Sequence, residues 1–285
     1  MRINHNISSM VTQGSLFRVN REMGKSLEKL STGLRINTAA DDSAGLGVSE
    51  NLRTQVRGTA QAKRNAQDGI AAISIAEGAA NEISDILQRM RELAVQSSND
   101  TLTSTERAYT NQEFSALISE IDRIAAVTNY NRQELLSNST DGGRFGTGSA
   151  GSAIWVDANA VYGTDSITVT IDTLTTATGS GIGVSDLNLA SQTASATAIS
   201  TLDTAIDSVN TMRSNMGAFV NRIESAINNL TISNTNQQAA ESLIRDVDFA
   251  HETARFTRNQ ILTQSATAML SQANMVPQSV LQLLG

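Results

Sequence analysis

Between Ile199 and Leu230 the apolar side chains Leu202, Ile206, Val209, Met212, Met216, Val220, Ile223 and Ile227 recur mostly at alternating steps of three and four. That spacing keeps a narrow apolar stripe on one side of a helix, and such a stripe is buried by another helix laid along it. A helix of about 40 residues is predicted here. A second long seam begins at Leu52 and Val56 and continues through Ile70, Ile73, Ala76, Ile83, Leu87 and Met90 to about Val95. At ~1.5 Å per residue it would span some 60 Å, so it needs a partner along its length. Aromatic residues make up 4% of the chain and Pro277 is the single proline, which suits long helices with thin seams better than a thick globular core.

Both ends repeat the theme. From Leu16 the residues Val19, Met23, Leu27, Leu30 and Leu34 fall on one helical face, and near the other end Leu262, Ala266, Met269, Leu270 and Ala273 do the same. That last stretch is expected to stop at Pro277, leaving an apolar tail with Val280, Leu281, Leu283 and Leu284, which would be a liability if exposed in a monomer. The tail therefore predicts burial against other subunits. A shorter helix carries Phe114, Leu117, Ile118, Ile121 and Ile124 after the turn-forming "SSNDTLTSTER".

The middle differs. From about Leu136 to Ser191 Gly, Ser and Thr crowd in, and "SITVTIDTL" alternates Ile167, Val169 and Ile171 with polar residues, predicting one or two β-hairpins. The expected fold is mainly α. It is an elongated antiparallel helical coiled coil or bundle of paired N- and C-terminal segments, with a small β-hairpin region in the middle.

Chemistry finds little support. The stretch "LSTGLRINTAADDSAGLGVSE" offers Asp41, Asp42 and Glu50 among glycines, yet it lacks the alternating oxygen ligands and closing Glu of an EF-hand, and no lysine completes a phosphate loop. It reads as a turn, with Asp41 or Asp42 capping the next helix. His5 and His251 are the only histidines, and "HETAR" lacks the second histidine of a zinc protease. No G-x-S-x-G elbow occurs, and the absence of cysteine removes thiolate chemistry. No catalytic, cofactor or metal site is expected, and the chain is read as a non-enzyme. A net charge of −7 disfavours nucleic acid, and no segment approaches the ~20 apolar residues of a membrane span. The N-terminus has no apolar run of signal-peptide length.

The motifs "MRINHNI", "LEKLSTGLRINTAADDSAGLGVSENLRTQVRG", "NAQDGIAAISIAEGA", "QRMRELAVQSSND", "SEIDRIA", "AESLIRDVDFAHE", "QILTQSATAMLSQAN" and "QSVLQLLG" resemble bacterial flagellin, over roughly the first 140 and last 90 residues. The resemblance implies a subunit of the flagellar filament, exported unfolded through the flagellar type III apparatus, extracellular, and assembled with many copies of itself. It implies residues 1–44 and 244–285 as a discontinuous inner-tube coiled-coil domain. Residues 45–243 would form a shell domain with a β-rich outer segment at about 137–192. Gly33, Asp41, Asp42, Gly45 and Gly47 would form the joint between them. The implied partners are the filament cap and hook-junction proteins and a flagellin-specific export chaperone. The innate receptor Toll-like receptor 5 is a further implied partner, met through Arg89, Leu93 and Glu113. A hook-filament junction protein is the alternative, since it shares the terminal coiled-coil design.

Overall fold

The computed structural model describes residues 5–137, 152–159, 165–179 and 181–284, with side chains through Met275. Five helices and four short strands follow in the order α1 (Ile7–Thr32), α2 (Ser43–Ser97), α3 (Ser104–Val127), β1 (Asn129–Tyr130), β2 (Gln133–Glu134), β3 (Ser152–Trp155), β4 (Ser166–Val169), α4 (Gln192–Arg245) and α5 (Phe249–Leu284). The contacts divide the chain into two units, Met1–Val56 with Thr235–Gly285, and Arg57–Asn234.

In the second unit the heptad rhythm of the sequence becomes the core. Along α2 the buried positions Thr59, Ala62, Ala66, Gly69, Ile73, Ala76, Ala80, Ile83, Leu87, Met90, Ala94 and Ser97 alternate by threes and fours. Along α4 Ser195, Ala198, Leu202, Ala205, Val209, Met212 and Met216 do likewise. The pairing is antiparallel, because Arg91 Nε donates to Asp203 Oδ1 at 2.6 Å while Asn234 Nδ2 donates to Thr59 Oγ1 at 2.8 Å. Small residues dominate the α2 stripe, which lets helices approach closely with few aromatics. Phe114 and Ile121 of α3 and Leu135 and Leu136 after β2 complete the same cluster.

Helix α3 starts on a full capping box: Thr103 Oγ1 accepts from Glu106 N, and Glu106 Oε2 accepts from Thr103 N at 2.7 Å. The β elements are two antiparallel pairs. In the first, Asn131 and Arg132 both take positive φ, the geometry of a type I′ hairpin turn. In the second, Ile154 faces Ile167 in register. Gly69 on α2 makes room for this pair, since a Cβ there would stand 2.4 Å from Ile154 Cδ1.

Two helices outrun the sequence expectation. Helix α4 spans 54 residues because the Ser-, Thr- and Asn-rich stretch after Leu230, although it breaks the apolar rhythm, contains neither proline nor glycine. Helix α5 does not stop at Pro277 but continues to Leu284. The side chains of Val280, Leu281, Leu283 and Leu284 lie outside the described residues.

Candidate functional site

Within the first unit α1 and α5 lie side by side. Asn6 touches Ala273, Asn20 touches Thr263 and Leu34 bridges Asp246, so the helices are antiparallel in a single register. On α1 the covered positions are Thr12, Leu16, Val19, Met23, Ser26 and Leu30; on α5 they are Glu252, Phe256, Asn259, Thr263, Ala266, Leu270 and Ala273. Both sets step by threes and fours, the spacing of a coiled-coil seam.

The contents of this seam are unusual. Its most buried side chains are Ser26, Glu252 and Asn259, all polar. Leu16, Val19, Met23, Leu30, Phe256 and Leu270 are half-buried in it, and further large apolar side chains face outward: Ile7, Met10, Val11, Phe17 and Leu27 on α1, and Phe249, Ile261, Leu262, Met269 and Met275 on α5 are all exposed. Phe17 leaves 68% of its surface uncovered, with the Arg21 guanidinium 5.4 Å from its ring centroid. Of the residues that the sequence assigns to the terminal seams, Leu16, Val19, Met23, Leu30, Leu34 and Leu270 are half-buried within the unit. Leu27, Leu262 and Met269 are on the outside. Sequence reasoning missed Ile7, Met10, Val11, Phe17 and Ile261, apolar residues that lie off the three-four rhythm of the seam.

The segment expected to act as a joint, residues 33–50, lies within the first unit and is held by hydrogen bonds. Gly33 closes α1 with φ +72°, its N–H returning to Lys29 O at 2.9 Å, as a C-terminal cap requires. The chain then pairs with the α4–α5 connection: Arg35 N donates to Arg245 O at 2.7 Å and Val247 N to Gly33 O at 3.0 Å. The aspartates divide their work. Asp41 Oδ2 accepts from Asn37 N, Thr38 N and Thr38 Oγ1, and the Thr38 N–H above all holds its carboxyl below the usual carboxylate range. Asp42 Oδ1 accepts from Gly45 N at 2.9 Å and caps α2. Gly33 alone interrupts helix here. Gly45 and Gly47 lie in the first turns of α2; a Cβ on Gly45 would strike the Asp42 carboxylate and Ile36 Cδ1, whereas at Gly47 it would meet open space. Glu50 accepts from Arg245 Nη1 at 2.6 Å, and that bond holds its carboxyl below the ordinary range. Both aspartates are thus occupied by neighbouring donors, and among the described residues no cluster of His, Cys, Asp and Glu is arranged to hold a metal ion.

In the second unit Arg89 and Glu113 meet on the surface of α2 and α3. Arg89 Nε and Nη2 donate to Glu113 Oε1 at 3.1 and 3.0 Å, and Nη1 donates to Glu92 Oε2 at 3.0 Å. The Glu92 carboxylate first, and then Glu113, keep the guanidinium more firmly protonated than usual. Leu93 is not part of that surface: at 2% exposure it belongs to the core. No helix among the described residues is long and apolar enough to cross a membrane.

The sequence compares directly with known proteins. Residues 3–141 match the bacterial flagellin N-terminal helical region, and residues 199–284 match the C-terminal helical region. The chain belongs to the bacterial flagellin family. Among its flagellin relatives, the flagellar filament 33 kDa core protein of Treponema phagedenis is 43% identical over 296 residues, covering 100% of both chains. Flagellin of Halalkalibacterium halodurans is 45% identical over 286 residues, again over 100% of both. In the crystal structure of Bacillus cereus flagellin, the likeness covers 94% of that chain and 62% of this one, at 30% identity and a TM-score of 0.49.

Proposed function

We propose that this flagellin is the subunit of an extracellular flagellar filament, joined to copies of itself through the outward apolar faces of α1 and α5. One observation carries the proposal: the terminal pair leaves many large apolar residues exposed, among them Met10, Phe17, Leu27, Ile261 and Met269, while its most buried side chains are Ser26, Glu252 and Asn259. The seam's apolar residues are only half-buried and its most buried side chains are polar, whereas the outer faces gain free energy on contact with a neighbour. Association then completes the folding of the ends, and the contacts are heterologous, so that repeating them builds an open helix rather than a closed ring. The names of the relatives, flagellin and flagellar filament core protein, support the same function.

In this scheme residues 1–44 and 244–285 form the inner-tube domain and 45–243 the shell domain. The chain leaves the cell unfolded through the flagellar type III apparatus, a route that weakly held termini favour, and an export chaperone covers the outer faces until assembly under the cap. Purified protein, seeded with filament fragments, should grow into long helical filaments with a narrow axial channel under the electron microscope. Growth that stops after a few subunits would favour the hook-filament junction role, and a chain that stays monomeric would refute self-assembly.

The Arg89–Glu113 pair supports recognition by Toll-like receptor 5, since both side chains stand on one accessible surface. Arg89→Ala should lower receptor activation by the monomer without changing its melting temperature appreciably; unchanged activation would remove this role. Leu93 would act from beneath, by keeping α2 and α3 in place.

A further inference from the structure

Helix α5 carries Pro277 in its interior, and a proline has no N–H to offer the carbonyl four residues back. That carbonyl belongs to Ala273. It has a replacement donor, for Asn6 Nδ2 reaches Ala273 O at 2.8 Å from the opposite end of the chain, 267 positions away. The other end of the same carboxamide is also engaged. Asn6 is the N-cap of α1, and its Oδ1 accepts from Ser9 N at 3.2 Å.

We propose that Asn6 is a register clamp: one carboxamide closes the start of α1 and supplies α5 with the hydrogen bond that Pro277 withholds. The side-chain chemistry is specific. A carboxamide presents an acceptor and a donor from one planar group, whereas an aspartate at this position would cap α1 equally well but could donate nothing. The clamp also answers a problem set by the seam itself. Seam positions repeat every three or four residues, so a shift by one helical turn of ~5.4 Å would set the two seams face to face again. The same shift would carry Asn6 away from Ala273 O and leave a helix carbonyl without a donor. The continuation of α5 beyond Pro277 is therefore tied to correct pairing of the two ends.

The test compares full-length wild type, Asn6→Asp, Pro277→Ala and the double variant. This inference rests on the filament reading for its first measurement, the critical concentration for seeded polymerisation. Asn6→Asp keeps the cap, loses the donor and directs a carboxylate at Ala273 O, so the critical concentration should rise about tenfold. Pro277→Ala restores an N–H to that carbonyl, so the double variant should fall within about twofold of Pro277→Ala alone if the clamp acts as described. An Asn6→Asp chain that polymerises like wild type, or an Asn6→Asp defect equally large in the Pro277→Ala background, would overturn the clamp. A wild-type chain that forms no polymer refutes the filament reading instead, and the clamp is then decided by amide exchange over residues 278–284 of the soluble full-length chain. Faster exchange in Asn6→Asp, recovered in the double variant, supports it; equal exchange in all four chains refutes it.

Discussion

Phe17 offers a quantitative test of the outward faces. It lies on α1 with 68% of its surface uncovered. A phenylalanine can bury roughly 200 Å², so a neighbouring subunit that covered the remainder would remove roughly 140 Å² from water. At about 25 cal/mol per Å² that is worth about 3 kcal/mol per subunit, less the small part an alanine would retain. Phe17→Ala should therefore raise the critical concentration for polymerisation by about 30- to 100-fold, since 1.4 kcal/mol is a factor of ten. Alanine is the better helix former, so α1 itself is not weakened by the change. The assay is sedimentation of seeded filaments over a range of subunit concentrations, with thermal unfolding as the control. The unit spanning Arg57–Asn234 does not contain Phe17, and its melting transition should be unchanged. A critical concentration within twofold of wild type would refute the argument that this face is buried by assembly.

The core of the second unit should respond in the opposite way. Leu87 is fully buried, so Leu87→Ala should cost about 2–5 kcal/mol and lower the melting temperature by roughly 5–20 °C. At the start of α2, Asp42→Ala should lose about 1 kcal/mol and speed amide exchange at Gly45, while Asp42→Asn, which keeps the cap, should stay near wild type. Glu106 predicts a pH dependence: the Thr103 N–H and hydroxyl hold its carboxyl below the ordinary value of 4.5, so its contribution is present above that value and is lost as the pH falls through the depressed one. The difference in melting temperature between wild type and Glu106→Ala should accordingly be full at neutral pH and shrink on acidification.

Much of this architecture was legible because it depends on period alone. The three-four spacing of Leu202, Val209, Met212 and Met216 on α4 and of Ile73, Ile83, Leu87 and Met90 on α2 marks the same residues that the fold buries. Gly33 was legible as a break because a positive φ favours glycine. Gly45 and Gly47 misled, since near a helix N-terminus a glycine can be helical, and Gly45 is required by the close approach of Asp42 and Ile36 rather than by a turn. Pro277 misled for a related reason. Its effect on α5 is offset by Asn6, a residue at the other end of the chain, and no local pattern reports a partner so distant in sequence.

The division of the terminal apolar residues was also hidden. Period places Leu16, Val19, Met23, Leu27 and Leu30 near one side of α1, but the stripe is wide enough that either edge could meet α5. In the structure Ser26, Glu252 and Asn259 occupy seam positions, while Leu27, Leu262 and Met269 lie outside. A hydrophobicity pattern assigns such polar residues to the surface.

The most direct test of the central claim is an image of the assembled filament at side-chain resolution. The outward residues Phe17, Leu27, Ile261 and Met269 should each be covered by side chains of neighbouring copies. Filaments in which these four remain exposed to solvent, with contacts made elsewhere on the chain, would contradict the account.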